Sequence, residues 1–388
     1  MRRAAVGLTF ALVATTLQAQ RQAEEPTIRD SAGVRIVEHW TLLGVGPAFR
    51  VEARPFLDLG GVRSNPDEEL DPVQYWLSAT ILSDGRIVVT ERTQLKFFSR
   101  TGQFLGTAGR AGRGPAEFEQ LQEVCRLPGD TLLAFDLSRR VSLWDPQGKH
   151  LRSFAPISFI APGSCYPDRT VIAQVVDGSA RESNASATTV AYARVRLDGT
   201  IVAHLGRLPT HQYFGTVSFE PSIIPSGDEV YVSDPMTAEI RVLDESGKIR
   251  RIIRASQRPT PITDDDWRRR AERSVPLDAT AEQRAEQIAM MMRMKRPPHM
   301  PAFHNMRVDA RRWIWLEPYE GDRPTWSVFD STGRRIGQLE LPWGGSAGAR
   351  LVGIERDAIV VLRRDADGAP HLNFHRFTPP AGAGASPR

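Results

Sequence analysis

Residues 82–148 read LSDGRIVVTERTQLKFFSRTG (82–102), QFLGTAGRAGRGPAEFEQLQEVCR (103–126) and LPGDTLLAFDLSRRVSLWDPQG (127–148). The third piece repeats the first. In each, a polar turn (Ser83-Asp84-Gly85 or Pro128-Gly129-Asp130) opens an apolar run (Ile87-Val88-Val89 or Leu132-Leu133-Ala134). After a polar break comes a second run, Leu95-Lys96-Phe97-Phe98 or Val141-Ser142-Leu143-Trp144, and then a turn ending in Gly102 or Gly148. Short strands at even spacing with a turn signal between each pair predict an all-β repeat.

The closing turn recurs along the chain as Ser99–Gly102, Asp145–Gly148, Arg196–Gly199, Asp244–Gly247, Asp330–Gly333 and Asp365–Gly368. The glycines fall 46, 51, 48, 86 and 35 residues apart. Four-stranded propeller blades recur at roughly 40–50 residues. The interval of 86 is then one blade plus an insertion, and 35 is a short last blade. Six turns predict a six-bladed β-propeller, with the glycines at equivalent places in all six. One small sheet cannot bury both faces alone, whereas radial stacking lets each blade cover its neighbour. The last blade offers only three strands near 350–377, so Val34–His39 is expected to supply its fourth and close the ring.

The insertion breaks the β pattern. Thr263 followed by Asp266, and Thr280 followed by Gln283, have capping-box spacing. They predict two helices within 264–295, stopped by Pro297-Pro298, between blades four and five. Ala281, Ala285, Ile288, Ala289 and Met292 share one face of the second. The run Met290-Met291-Met292-Met294 is read as packing onto the propeller rim. The path from an outer strand back to an inner one crosses the channel-side face, where the helices would form a lid or docking surface.

The chain has 388 residues and a formal charge of +4, with no dense basic patch of the kind a nucleic-acid binder carries. Its basic residues are almost all Arg; Lys occurs only at 96, 149, 248 and 295. Residues 1–20 read as a secretory signal peptide: Arg2-Arg3, an uncharged apolar run from Ala4 to Leu17, then Leu17-Gln18-Ala19. No later run approaches 18 apolar residues, so no transmembrane segment is expected after cleavage. The organisation expected is a leader over 1–20, the propeller over 21–380 with the helical insertion at 260–300, and a disordered tail over 381–388. The location expected is periplasmic or secreted.

Val230-Tyr231-Val232-Ser233-Asp234, followed by Glu239-Ile240-Arg241-Val242-Leu243-Asp244 and Gly247, resembles an NHL-type propeller repeat. Gly109-Arg110-Ala111-Gly112-Arg113-Gly114-Pro115-Ala116-Glu117-Phe118 resembles that family's glycine-rich link between blades. The resemblance spans roughly 75–377 and implies a six-bladed propeller like those of secreted bacterial proteins. That architecture hosts binding modules, a zinc-dependent peptide-amidating lyase and gluconolactonase-like hydrolases; the enzymes' metal-ligand sets find no residue-by-residue match here.

The glycine-rich link leads into the strand-like Glu123-Val124-Cys125, with no Gly-Lys-Ser/Thr, so it reads as a blade connection and not as a phosphate loop. Aligning the inner strands on their turns puts Gln74 or Tyr75, Glu123, Ser164, Glu220, His304 and Arg350 near one channel mouth. Glu123, Glu220, His304 and Arg350 are the candidate ligand-binding residues. Carboxylates with an imidazole also suit a divalent cation. The leading functional expectation is a binding or scaffold module that offers its channel face to a peptide, glycan or protein partner. The alternative is a metal-assisted lyase or hydrolase acting through Glu123, Glu220 and His304. No Gly-x-Ser-x-Gly elbow and no HExxH pattern occurs.

Cys125 and Cys165 are the only cysteines. They stand six and five residues before Thr131 and Thr170, which open equivalent strands of consecutive blades. A disulfide between them is expected in an oxidising compartment.

Overall fold

In the computed structural model, residues 25–44, 46–63, 65–71, 77–138, 140–154, 160–175, 188–213, 217–219, 221–275, 279–294, 296–318, 325–341 and 349–383 are described. They form six sheets, one per blade, with strands A to D running from the channel outwards. Strands A are Ser78–Ile81, Leu121–Arg126, Ile160–Cys165, Ser222–Ser226, Asn305–Val308 and Ala349–Ile354 in blades 1 to 6. They form the inner ring, and the strands A of blades 1 and 6 lie side by side where it closes.

The B strands carry consecutive apolar residues, such as Ile87-Val88-Val89 and Leu132-Leu133-Ala134, for a geometric reason. A strand alternates faces, and in a propeller both faces meet a neighbouring blade. Ile87 and Val89 of blade 1 pack toward blade 6, with Val360 and Leu372. Val88, between them, packs toward blade 2, with Leu132 and Ala134. Leu133 then turns to blade 3 with Val171 and Ala173. Ile172 meets Val230 and Val232 of blade 4. Tyr231 meets Ile314 and Leu316 of blade 5. Trp315 meets Ile359 and Val361 of blade 6. Six cores lie between six pairs of blades, and the ring is complete.

Closure follows a different route from the one the sequence predicts. Val34–His39 pairs in parallel with Ile249–Ala255, extending blade 4, and Thr27–Ser31 adds a hairpin partner outside it. The fourth strand of blade 6 is Leu57–Gly60, antiparallel to Pro370–Thr378. Asp58 fixes this pairing by accepting from Asn373 at 2.7 Å and meeting His371 Nδ1 at 2.9 Å. Leu57 and Leu59 are what an outer strand needs, because both enter the core between blades 6 and 1. Val34–His39 has another use: Val37 packs with Ile253 between blades 4 and 5, and His39 Nε2 meets the Gly333 carbonyl at 2.8 Å.

All six turn glycines adopt positive φ between 82° and 89°. Each donates its amide to the carbonyl three residues earlier. In four of the turns the leading Asp also accepts from backbone amides two and four residues on, as Asp145 does from Gln147 and Lys149. Five glycines sit in C–D turns. Gly368 sits instead in the B–C turn of blade 6, on the opposite face. Blade 6 has no C–D turn, because its fourth strand comes from the other end of the chain.

The insertion forms helix α1 (Asp264–Ser274) and helix α2 (Ala281–Arg293), each with a complete capping box on Thr263 and Thr280. Its neck pairs Pro261 with His299. Trp267 is buried against Met236 and Ile262, and its Nε1 donates to the Met291 carbonyl at 3.0 Å. The packed side of α2 carries Ile288, Met291 and Met292, whereas Ala281, Ala285 and Ala289 are exposed. The apolar stripe read from sequence is thus rotated, because the one-carbon alanines contribute little to packing compared with methionine. Pro380–Ala383 is a turn, and Ala383 packs on the core between blades 5 and 6. The leader at 1–20 and the end of the tail at 384–388 lie outside the described residues.

Candidate functional site

Strand direction orients the channel. Strand A of each blade starts on the face that also carries the B–C turns and the links from one blade to the next. Met236 belongs to the B–C turn of blade 4, so the helices packed on it share that face. Arg350, second in its strand, and His304, just before Asn305, lie at this mouth. Glu123 and Arg307 are each third in their strands, a step deeper.

Blades 2 and 5 are opposite in a six-membered ring, so an interaction between Glu123 and Arg307 spans the channel. The Glu123 carboxyl is enclosed by protein yet keeps partial contact with solvent, as a channel-lining group does. Burial pushes it up to about 7, against the opposing pull of the Arg307 guanidinium. Arg307 is depressed by burial; Glu123 and Glu317 oppose this, and Arg350 adds to it. Arg307 Nη1 reaches the Val352 carbonyl on blade 6 at 3.4 Å, and its buried Nε has no hydrogen-bond partner among the described residues. Arg350 is likewise depressed by burial, with Glu317 opposing. His304 Nδ1 approaches Glu317 Oε2 at 3.4 Å.

The far end of the channel is tied differently. Arg126 Nη1 donates to the Ile81 carbonyl at 2.8 Å, linking blades 2 and 1. Glu355, raised by burial, accepts from the Ile81 amide and links blade 6 to the same residue. Asp130 accepts from Arg126 and from Ser83, holding the next turn of blade 1. These bonds fasten the ring.

Of the residues singled out by sequence, Glu123, His304 and Arg350 thus reach one channel. His304 pairs with Glu317 and not with Glu123. Glu220, Gln74 and Tyr75 lie outside the described residues, and Ser164 is placed only as part of its strand. Among the described residues no group of three or more His, Cys, Asp or Glu side chains converges as metal ligands. Sequence reasoning missed Arg307 and Glu317. Alignment on turns took one residue per inner strand, and in blade 5 that residue was His304, three before Arg307. A charge in an apolar strand was the available signal.

Cys125 and Cys165 form a disulfide, with Cα atoms 6.2 Å apart, joining the inner strands of blades 2 and 3 two residues beyond Glu123. No helix among the described residues is long and apolar enough to cross a membrane.

A second concavity of about 160 Å³ lies at the neck of the insertion, lined by Thr41–Leu43, Gln257–Thr260 and Met300–Ala302 among others.

No protein-family model and no curated protein matches the chain. Solved structures do. A Bacteroides fragilis protein described as exported superposes with a TM-score of 0.52 at 13% identity, covering 85% of this chain and 95% of its own. A member of the DUF4221 family from Bacteroides vulgatus gives a TM-score of 0.52 at 14% identity, covering 85% and 98%. At these identities the likeness is one of fold, and the chain is a six-bladed β-propeller of that architecture.

Proposed function

We propose that the protein is an exported binding module, periplasmic or secreted, that presents the helix-bearing mouth of its channel to a peptide, glycan or protein partner. The observation that carries this reading is the set of charged groups brought to one channel from different blades: Glu123 from blade 2, Arg307 and Glu317 from blade 5, Arg350 from blade 6. The buried Nε of Arg307 has no hydrogen-bond partner among the described residues, and a buried donor left unpaired costs stability. Such groups accumulate where a ligand completes their hydrogen bonds. The disulfide supports export, because such bonds persist in oxidising compartments. The capped helices beside the mouth suit a lid or docking surface.

Site-directed photo-crosslinking in the producing cell tests this. A photoreactive residue at His304, on the mouth, is expected to capture a discrete partner, and one at the exposed rim residue Leu105 is not. Capture from Leu105 alone would place binding on the rim and overturn the reading.

A further inference from the structure

The nature of the channel ligand can be narrowed; this step rests on the channel reading above. Three observations bear on it. Glu123 and Arg307 attract one another across the channel, yet no ion pair within 4 Å and no hydrogen bond joins them. The Arg307 Nε is buried and unpartnered among the described residues. The exposed large apolar side chains, including Leu105, Leu137, Leu151 and Ile201, lie off the six inner strands.

A guanidinium only donates hydrogen bonds, and an ionised carboxylate only accepts them. A group placed between them must accept from one and donate to the other. An anion meets Arg307 but is repelled by Glu123 whenever that carboxyl is ionised, and by Glu317 nearer the mouth. A cation meets Glu123 but is repelled by Arg307 and Arg350. A neutral hydroxyl does both at a single atom, and adjacent hydroxyls repeat the pattern. A peptide side chain, by contrast, gains most of its affinity in an apolar pocket, and the partly exposed apolar side chains Ile81, Ile224, Val308 and Ile354 of the inner strands pack against the cores between blades.

We propose that the channel between Glu123 and Arg307 binds a neutral polyhydroxylated ligand, a sugar unit of a glycan, whose hydroxyls accept from Arg307 and donate to Glu123. Arg350 and Glu317, nearer the mouth, extend the same alternation of donor and acceptor toward the next sugar. Glu123, poised near neutrality by burial, keeps hydrogen-bonding capacity in either protonation state.

The test is binding of the full mature chain to an array of neutral plant, bacterial and host oligosaccharides, followed by calorimetric titration of the strongest binder. Glu123→Gln and Arg307→Gln are each expected to weaken that binding roughly ten- to a hundredfold. Arg152→Gln, on an outer strand, should leave it within about twofold. Glu123→Gln is nearly isosteric, so it keeps the test open if the Arg307 variant fails to fold. No binding anywhere on the array, or binding indifferent to both channel variants, overturns the proposal. A displayed peptide that binds with the same sensitivity to these variants would overturn the sugar assignment while leaving the channel reading intact.

Discussion

Glu123 and Arg307, each the third residue of its inner strand, come from opposite blades of the ring and attract one another beyond ion-pair distance. This pairing has a cost that pH exposes. Burial holds the Glu123 carboxyl at about 7, above the 4.5 of an exposed glutamate. Between those values the folded chain binds more protons than the unfolded chain, so stability falls as pH rises through the window and the loss is complete above about 7. His39 and His375, both lowered by burial, act in the opposite sense, losing stability as pH falls. The comparison must therefore be with Glu123→Gln. From pH 5 to pH 8 the wild type should lose, relative to that variant, on the order of 2 kcal/mol in urea unfolding. Parallel curves would mean that Glu123 is not desolvated.

Reducing the Cys125–Cys165 bond reopens a 40-residue separation between two inner strands. Chain entropy gives about 4 kcal/mol for a loop of that length, with native strain subtracting from it. The Cys125→Ser/Cys165→Ser double variant should unfold at a lower urea concentration by about 2–4 kcal/mol. Titration of denatured, unreduced protein should find no free thiol; two per chain would exclude the bridge.

Ring closure rests on Asp58. Asp58→Ala removes the acceptor shared by Asn373 and His371 and should cost about 1–3 kcal/mol. Deleting residues 25–31 removes the exposed strand Thr27–Ser31 and the exposed Glu25–Arg334 ion pair, and should barely move the melting temperature. Deleting through 61 removes strand D of blade 6 and should abolish cooperative melting. Cooperative melting of that shorter chain would contradict the closure.

Two turn glycines give a matched test of local packing. A Cβ at Gly247, where φ is +86°, would lie 2.2 Å from the His204 carbonyl oxygen. At Gly368, where φ is +82°, nothing lies within 4 Å. Gly368→Ala should cost only the left-handed penalty of about 1–2 kcal/mol. Gly247→Ala must also move backbone and should cost several kcal/mol. Equal costs would show that the turn of blade 4 yields freely.

The glycine spacing made five blades and the insertion legible, because their C–D turns repeat one chemistry; the sixth blade was counted from Gly368, a B–C turn. The capping boxes made the helices legible, because the cap is encoded within four residues. Ring closure was not legible in the same way. Val34–His39 and Leu57–Gly60 are both short apolar strands, and only the cores they enter tell them apart. Gly368 was misplaced for the same reason, since a local turn does not say which strands it joins. At the site, Glu123 could be found by position in a strand. Its partnership with Arg307 depends on which blades stand opposite once the ring is closed.

Binding is proposed to occur in the space between Glu123 and Arg307. Its most direct test is a crystal structure of the protein with the strongest-binding oligosaccharide. A sugar hydroxyl is expected within hydrogen-bond distance of both the Glu123 carboxyl and the Arg307 guanidinium. A sugar bound at the outer rim or in the cleft at the neck of the insertion, with the channel holding only water, would contradict it.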